Sequence, residues 1–256
     1  MKNNMLLIII ISVIVTAVSI AAIFSLPNTF LGNNPKINIP EEINDFQGEN
    51  GNIVFNKVED IKNLDITKEN VISVILSLNR PSTYYFELKS TVFANEQSFT
   101  QYNRVWTKNE FSKHSCHFEY DDGTLSQIQN LVITNKFIYS WAENSINYTQ
   151  TARGDFTADD FVLFPTYESL AAYTEDDIID FEISERNGSF YLQITVLDSK
   201  TQNTTTYYID IKNGLLTEAV SFYKNKLVYS ANATYYSINS FDNSIFMLPD
   251  DSLPIV

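Results

Sequence analysis

The sequence predicts a mainly β domain of the α+β class: a curved antiparallel sheet forming an open half-barrel, covered by a few short helices and preceded by one transmembrane helix. Three observations carry this expectation. Apolar and polar residues alternate with period two in a series of short segments separated by turn residues, the mark of half-buried strands. The chain holds 15 Tyr and 18 Phe against seven Gly and seven Pro, a balance that favours strands and packed aromatic surfaces over disorder. Residues 5–26 form a continuous apolar run without a charge.

That run, MLLIIIISVIVTAVSIAAIFSL, has 22 residues and as a helix would span about 33 Å, enough to cross a bilayer core. Lys2 lies on its short side, whereas Glu41, Glu42, Asp45 and Glu49 follow on the far side with only Lys36 near them. The positive-inside rule then predicts a single-pass protein of the cell membrane, with its N-terminus in the cytoplasm and its domain outside. A cleaved signal peptide is the competing reading, because Ala17, Ser19 and Ala21 offer small residues at cleavage-like spacing. Ile20, Ile23 and Phe24 continue the apolar run past those positions and favour the anchor. Residues 27–65 read as a polar linker carrying Pro27, Pro35 and Pro40, and residues 66–256 as the folded domain.

Charge and cysteine usage narrow the function classes. With 31 acidic against 17 basic residues the net charge is −14, so the chain repels phosphate backbones and nucleic acid is excluded as a partner. Cys116 is the only cysteine. It rules out an intramolecular disulfide, and no cysteine follows the apolar run where a lipid attachment would need one.

The domain begins with a helix over 67–78, capped at Thr67, with Val71, Ile72, Val74, Ile75 and Leu78 at helical spacing before Arg80-Pro81 ends it. Alternation then switches to period two, with Phe86, Leu88 and Val92 on one face. Further strands are expected at 99–107, 110–120, 125–134, 137–141 and 146–149, joined by short turns that imply antiparallel hairpins. Residues 155–173 interrupt them with acidic cap candidates and with Pro165 between two short apolar pieces, read here as two short helices. Strands resume at 178–185, 189–197, 204–211, 215–223 and 226–236, with Asn187-Gly188 and Asn213-Gly214 as tight turns. About ten strands with one apolar face must curl and be covered by the helices. The concave side either holds an apolar cavity or is filled by its own Phe, Tyr and Leu side chains; the pattern fits both.

The pattern resembles the LolA-like superfamily, the half-barrel fold of the lipoprotein carrier LolA, the stress sensor RseB and GerS-like envelope proteins. Four features carry the resemblance: the helix 70–78 running into Tyr84-Tyr-Phe-Glu-Leu88, the helical interruption in mid-chain, Tyr207-Tyr-Ile-Asp-Ile211 running into Lys212-Asn-Gly-Leu-Leu216, and the closing Ile245-Phe-Met-Leu-Pro249. The resemblance implies a non-enzymatic envelope protein. Its concave side would hold a lipid or an acylated protein, or the chain would dock an envelope protein partner as an anchored scaffold. It also implies that the closing segment returns an aromatic to the mouth of the half-barrel. An uncleaved anchor departs from LolA, which is a soluble shuttle.

No catalytic signature stands out. In His114-Ser-Cys116-His117 a strand puts His114 and Cys116 on one face and His117 on the other, too few convergent ligands for zinc. The pairs Asp121-Asp122 and Asp159-Asp160 and the run Glu175-Asp-Asp177 fall at turns or helix starts, where carboxylates cap backbone amides. No metal and no cofactor are expected. Phe86, Leu88, Trp106, Trp141, Phe156, Phe161 and Phe164 are the candidate ligand-lining residues, the last three as a lid of which Phe161 and Phe164 face the sheet.

Overall fold

The computed structural model describes residues 65–94, 97–120 and 122–254, all within the unit Asn38–Val256. The apolar run 5–26 and the linker up to residue 64 lie outside them. Among the described residues no helix is long and apolar enough to cross a membrane.

Helix α1, Val71–Ser77, precedes eleven strands: β1 (Thr83–Ala94), β2 (Gln97–Lys108), β3 (Phe111–Glu119), β4 (Gln129–Ile133), β5 (Phe137–Ala142), β6 (Thr149–Ala152), β7 (Ile178–Arg186), β8 (Ser189–Leu197), β9 (Asn203–Asp210), β10 (Leu215–Tyr223) and β11 (Lys226–Ser237). Between β6 and β7 lie a 3₁₀ turn at Ala158–Phe161, helix α2 at Tyr167–Ala171 and a 3₁₀ turn at Glu175–Asp177. All pairings are antiparallel and the strand order is β6-β5-β4-β3-β2-β1-β11-β10-β9-β8-β7. The chain therefore walks to one edge and crosses to the other edge through residues 153–177. It then walks back until β11 closes on β1. Among the described residues both edges stay unpaired. β6 blunts its edge by being short and polar, and β7 by carrying Asp180, Glu182 and Glu185.

Curl comes from four register shifts, at Glu87/Leu88, Leu216/Glu218, Ser221/Phe222 and Ile178/Asp180, all in β7–β11 and the seam with β1. Gly214 stands where the turn after β9 passes under the end of α1. Its φ is +59°, and an added Cβ would lie 2.7 Å from the carbonyl oxygen of Asn79. Asp210 beside it is buried and accepts hydrogen bonds from Asn213 and from the Tyr236 hydroxyl.

The largest core forms where α1 and α2 cover the inner face of β7–β10. Val71, Val74, Ile75 and Leu78 recur along α1 and meet Leu170, Leu192, Ile194, Val196, Ile209 and Leu216. Helix α1 is shorter than the spacing predicts. Asn70 flanks its first residue, and Thr67 opens the preceding turn, its N–H donating to Asn70 Oδ1 at 2.8 Å. A second cluster at the seam joins Phe86, Leu88, Val105 and Leu215.

The third cluster lies on the opposite face. Val132, Phe246 and Leu248 are buried there with Phe111, Tyr139 and Trp141 packed against them. The closing segment thus lies on the outer face of β3–β5, and its aromatic does not return to the mouth as the resemblance implied. Phe246 meets the ring of Phe111, whose side alternates with that of His114 along β3.

Candidate functional site

Strand register ranks the inner face of β1, β2 and β3 into rows. Phe86 stands opposite Val105 and Val105 opposite His114; Leu88 stands opposite Asn103 and Asn103 opposite Cys116; Ser90 stands opposite Gln101 and Gln101 opposite Phe118. These rows are buried up to Gln101. One row further, Val92 opposite Phe99 is half-buried and Tyr120 is exposed, so the cover ends there. An open hollow of about 480 Å³ begins at this point, lined by Val92, Ala94 and Phe99 with Tyr120, Gln97, Ser98 and Asp122. Phe118 stacks on Phe99 at 4.9 Å behind it.

The cover over the buried rows is the crossing segment, and its two parts are held differently. α2 is fastened from several sides. The Tyr167 hydroxyl donates to the Gly214 carbonyl and accepts from the Leu216 N–H at 2.5 Å, and the Arg80 guanidinium lies 3.4 Å over its ring. Phe164 packs into both neighbouring clusters. Before Pro165 the fastening is lighter. The Gln101 side chain receives the Leu163 N–H at 2.8 Å and donates to the Phe161 carbonyl at 3.5 Å, while the Tyr229 hydroxyl donates to the Leu163 carbonyl at 3.0 Å. Phe161 meets the His114 ring edge-on at 6.4 Å and Phe156 at 6.0 Å, and Arg153 ties the stretch to Thr134 and Phe156 through backbone carbonyls.

Of the candidate residues, Phe86, Leu88, Phe161 and Phe164 gather at this inner face, and Phe156 sits at the outer end of the lid, more than a third exposed. Trp106 and Trp141 do not join them. Trp106 alternates with the inward Val105, stands opposite Tyr85 and stacks on it at 4.9 Å, while the Lys113 ammonium lies 5.9 Å from Trp106 and 5.8 Å from Trp141 on the outer face. Reading aromatics without strand parity mixed the two faces.

The reactive cluster keeps its expected division. His114 and Cys116 are buried inward, and His117 stacks on Tyr102 at 5.0 Å outside. Burial pushes the Cys116 thiol up to about 11 and the His114 imidazole down to about 4. Both are neutral at pH 7, the reverse of an activated thiolate beside an imidazolium. Among the described residues no three acidic, His or Cys side chains converge as metal ligands.

Sequence reasoning missed Gln101, Asn103 and Tyr229. The signal was present in β2, where Phe99, Gln101, Asn103 and Val105 share one face, with two amides set between apolar residues. Asn103 is 2% exposed, yet among the described residues neither its Nδ2 nor its Oδ1 has a hydrogen-bond partner, nor does His114 Nδ1.

Fold and site together define an open, curled antiparallel sheet whose inner face is core under α1 and α2 and is covered by residues 156–164 over β1–β3. Solved structures similar to the chain include an uncharacterized conserved protein from Thermus thermophilus (10% identity over 69% of this chain and 90% of that one, TM-score 0.39). A LolA superfamily protein from Nitrosomonas europaea (10%, 71% and 98%, 0.31) and LprF from Mycobacterium bovis (8%, 68% and 92%, 0.38) are also similar. At these identities and TM-scores the likenesses carry no argument about this chain's family or about what it binds. No family model and no curated protein matches the chain.

Proposed function

We propose that the chain is a membrane-anchored, extracytoplasmic binding protein of the bacterial envelope that holds a hydrophobic ligand, a lipid or the acyl part of a lipoprotein, against its inner face. The observation that carries this reading is the open apolar hollow at Val92, Phe99 and Tyr120, one row along the inner face from Gln101, which with Tyr229 fastens the covering stretch near Leu163. Apolar surface left open beside a movable cover suits an acyl chain, and the ligand would lengthen the hollow by displacing residues 156–164. The uncharged run 5–26 supports an anchor that keeps the ligand at the membrane. A photoactivatable acyl lipid added to membranes holding the full-length chain is expected to label peptides containing Phe99 or residues 156–164. Labelling confined to residues 5–26 would sink the proposal.

A second reading has an observation of its own. On the outer face Tyr85 meets Trp106 at 4.9 Å and Tyr235 at 6.0 Å, and Lys113 lies between Trp106 and Trp141. Such an aromatic row with a cation set in it suits docking to an envelope protein. Trp106→Glu would then abolish co-purification of that protein without changing lipid labelling.

A further inference from the structure

The buried polar floor of the groove has a ligand chemistry of its own. Asn103 and His114 are diagonal neighbours on adjacent strands, since Val105, two residues along β2 from Asn103, stands opposite His114. They are 2% and 1% exposed. Asn103 presents an amide donor and acceptor without partners among the described residues, and His114 presents Nδ1 likewise, its Nε2 lying 3.3 Å from Ser112 Oγ. Each unmatched buried group is unfavourable, although the flanking Phe86, Leu88 and Val105 show that apolar side chains pack at this depth. Packing alone therefore gives no reason for an amide here.

We infer that Asn103 and His114 form the polar subsite of the groove, binding the uncharged hydrogen-bonding head of an acyl ligand, an ester, amide or hydroxyl group, while its chain runs toward Val92 and Phe99. This rests on the lidded-groove reading above and specifies the ligand of that same site. The distance fits: Phe99 lies four residues along β2 from Asn103, about 13 Å at strand rise. Gln101 stands between them, and its amide, which holds the lid backbone, becomes a third partner once residues 156–164 move away. The head must be neutral. The inner-face neighbours of the pair are Leu88, Val105, Ser112, Cys116 and the lid residue Phe161, none of them a cation, and a carboxylate buried there without a counter-charge would cost far more than an ester. Burial also keeps both the His114 ring and the Cys116 thiol neutral at pH 7.

The test uses the full-length chain in phosphatidylcholine vesicles with two diazirine probes of the same chain length, a monoacylglycerol and the free fatty acid. The ester is expected to label the inner-face peptides at least about tenfold more than the anion, whose charge would enter a site without a counter-charge. Asn103→Leu, which removes the amide but keeps the volume, should lower labelling of those peptides by the ester about tenfold, the factor that one lost buried hydrogen bond sets, and raise Tm. Equal labelling by the two probes in the wild-type chain overturns the inference and leaves the groove reading standing, as does ester labelling that is unchanged in Asn103→Leu. A lowered Tm in Asn103→Leu shows that the amide is satisfied within the fold and overturns it too. If neither probe labels the domain, the groove reading itself fails. The wild-type comparison decides even where the variant does not fold.

Discussion

The two halves of this sheet are buried differently. In β7–β10 the inner face is the core: Leu192, Ile194, Val196, Ile209 and Leu216 are sealed under α1 and α2, and the bulged strands curl around them. In β2–β5 the inner face mixes Gln101, Asn103, Ser112, His114 and Cys116 with the buried Val105, Ile133 and Ile138 under a lightly held stretch, and a second apolar burial lies outside, where Phe246 and Leu248 cover Val132. A half-sheet with polar residues set into its inner face gains hydrophobic burial from a second layer, and here the closing segment supplies it. The seam at Phe86, Leu88 and Leu215 joins the two arrangements.

Removing the outer core is the most direct way to break this comparison. Phe246 is fully buried, and Phe246→Ala is expected to cost about 3–5 kcal/mol in urea unfolding. A cost below about 1 kcal/mol would show that β3–β5 do not depend on the closing segment.

Acid titration comes next and probes the polar half alone. The folded-state pKa of His114 is depressed to about 4 from 6.5 by burial. The unfolded chain therefore takes up the proton first, and the stabilisation, full above pH 6.5, is lost as pH falls from 6.5 toward 4. The loss amounts to at most about 3 kcal/mol. Subtracting the profile of His114→Gln isolates it from the carboxylates. Identical slopes between pH 6.5 and 4.5 in the two proteins would refute the assignment.

The lid separates the halves at Pro165, and two substitutions sharpen that boundary. Tyr167→Phe leaves the Gly214 carbonyl and the Leu216 N–H without their shared partner and should cost about 1–3 kcal/mol, with faster amide exchange at Leu216. Phe161 is only half-buried at the lightly held end, so Phe161→Ala should cost no more than about 1 kcal/mol while changing acyl-lipid labelling. A large loss of stability in that variant would make the stretch core and erase the distinction drawn here.

Strand by strand, much of this fold was legible. Alternation of Leu192, Ile194 and Val196 with Tyr191, Gln193 and Thr195 placed β8 and its buried face, because a period of two needs no knowledge of partners. The turn at Asn187-Gly188, with φ of +52° and +77°, followed from residue type. Boundaries slipped where local chemistry was ambiguous: β4 starts at Gln129 instead of 125, and β6 covers Thr149–Ala152 instead of 146–149. Of the two short helices read in residues 155–173, the first is a 3₁₀ turn and the second is α2, and a further 3₁₀ turn at Glu175–Asp177 follows them. The capping Thr-x-x-Asp boxes at Thr157 and Thr174 each begin a single 3₁₀ turn.

What the chain order determined by itself was therefore the parity of each strand, the helical stretch that covers part of the sheet and the apolar residues of the β7–β10 core. Only the tertiary structure decided which parity faces inward in each half. Trp106 and Trp141 were grouped with Phe86 by type, yet register sends them outward with Tyr85 and Lys113. Asn103 and Gln101 were passed over as polar strand residues, yet the same register buries them beneath the lid. The physical reason is that alternation fixes two faces for every strand but not their orientation. That depends on which covering segment, the lid inside or the closing residues outside, reaches the strand from far along the chain, and such long-range contacts leave no periodic mark on the sequence.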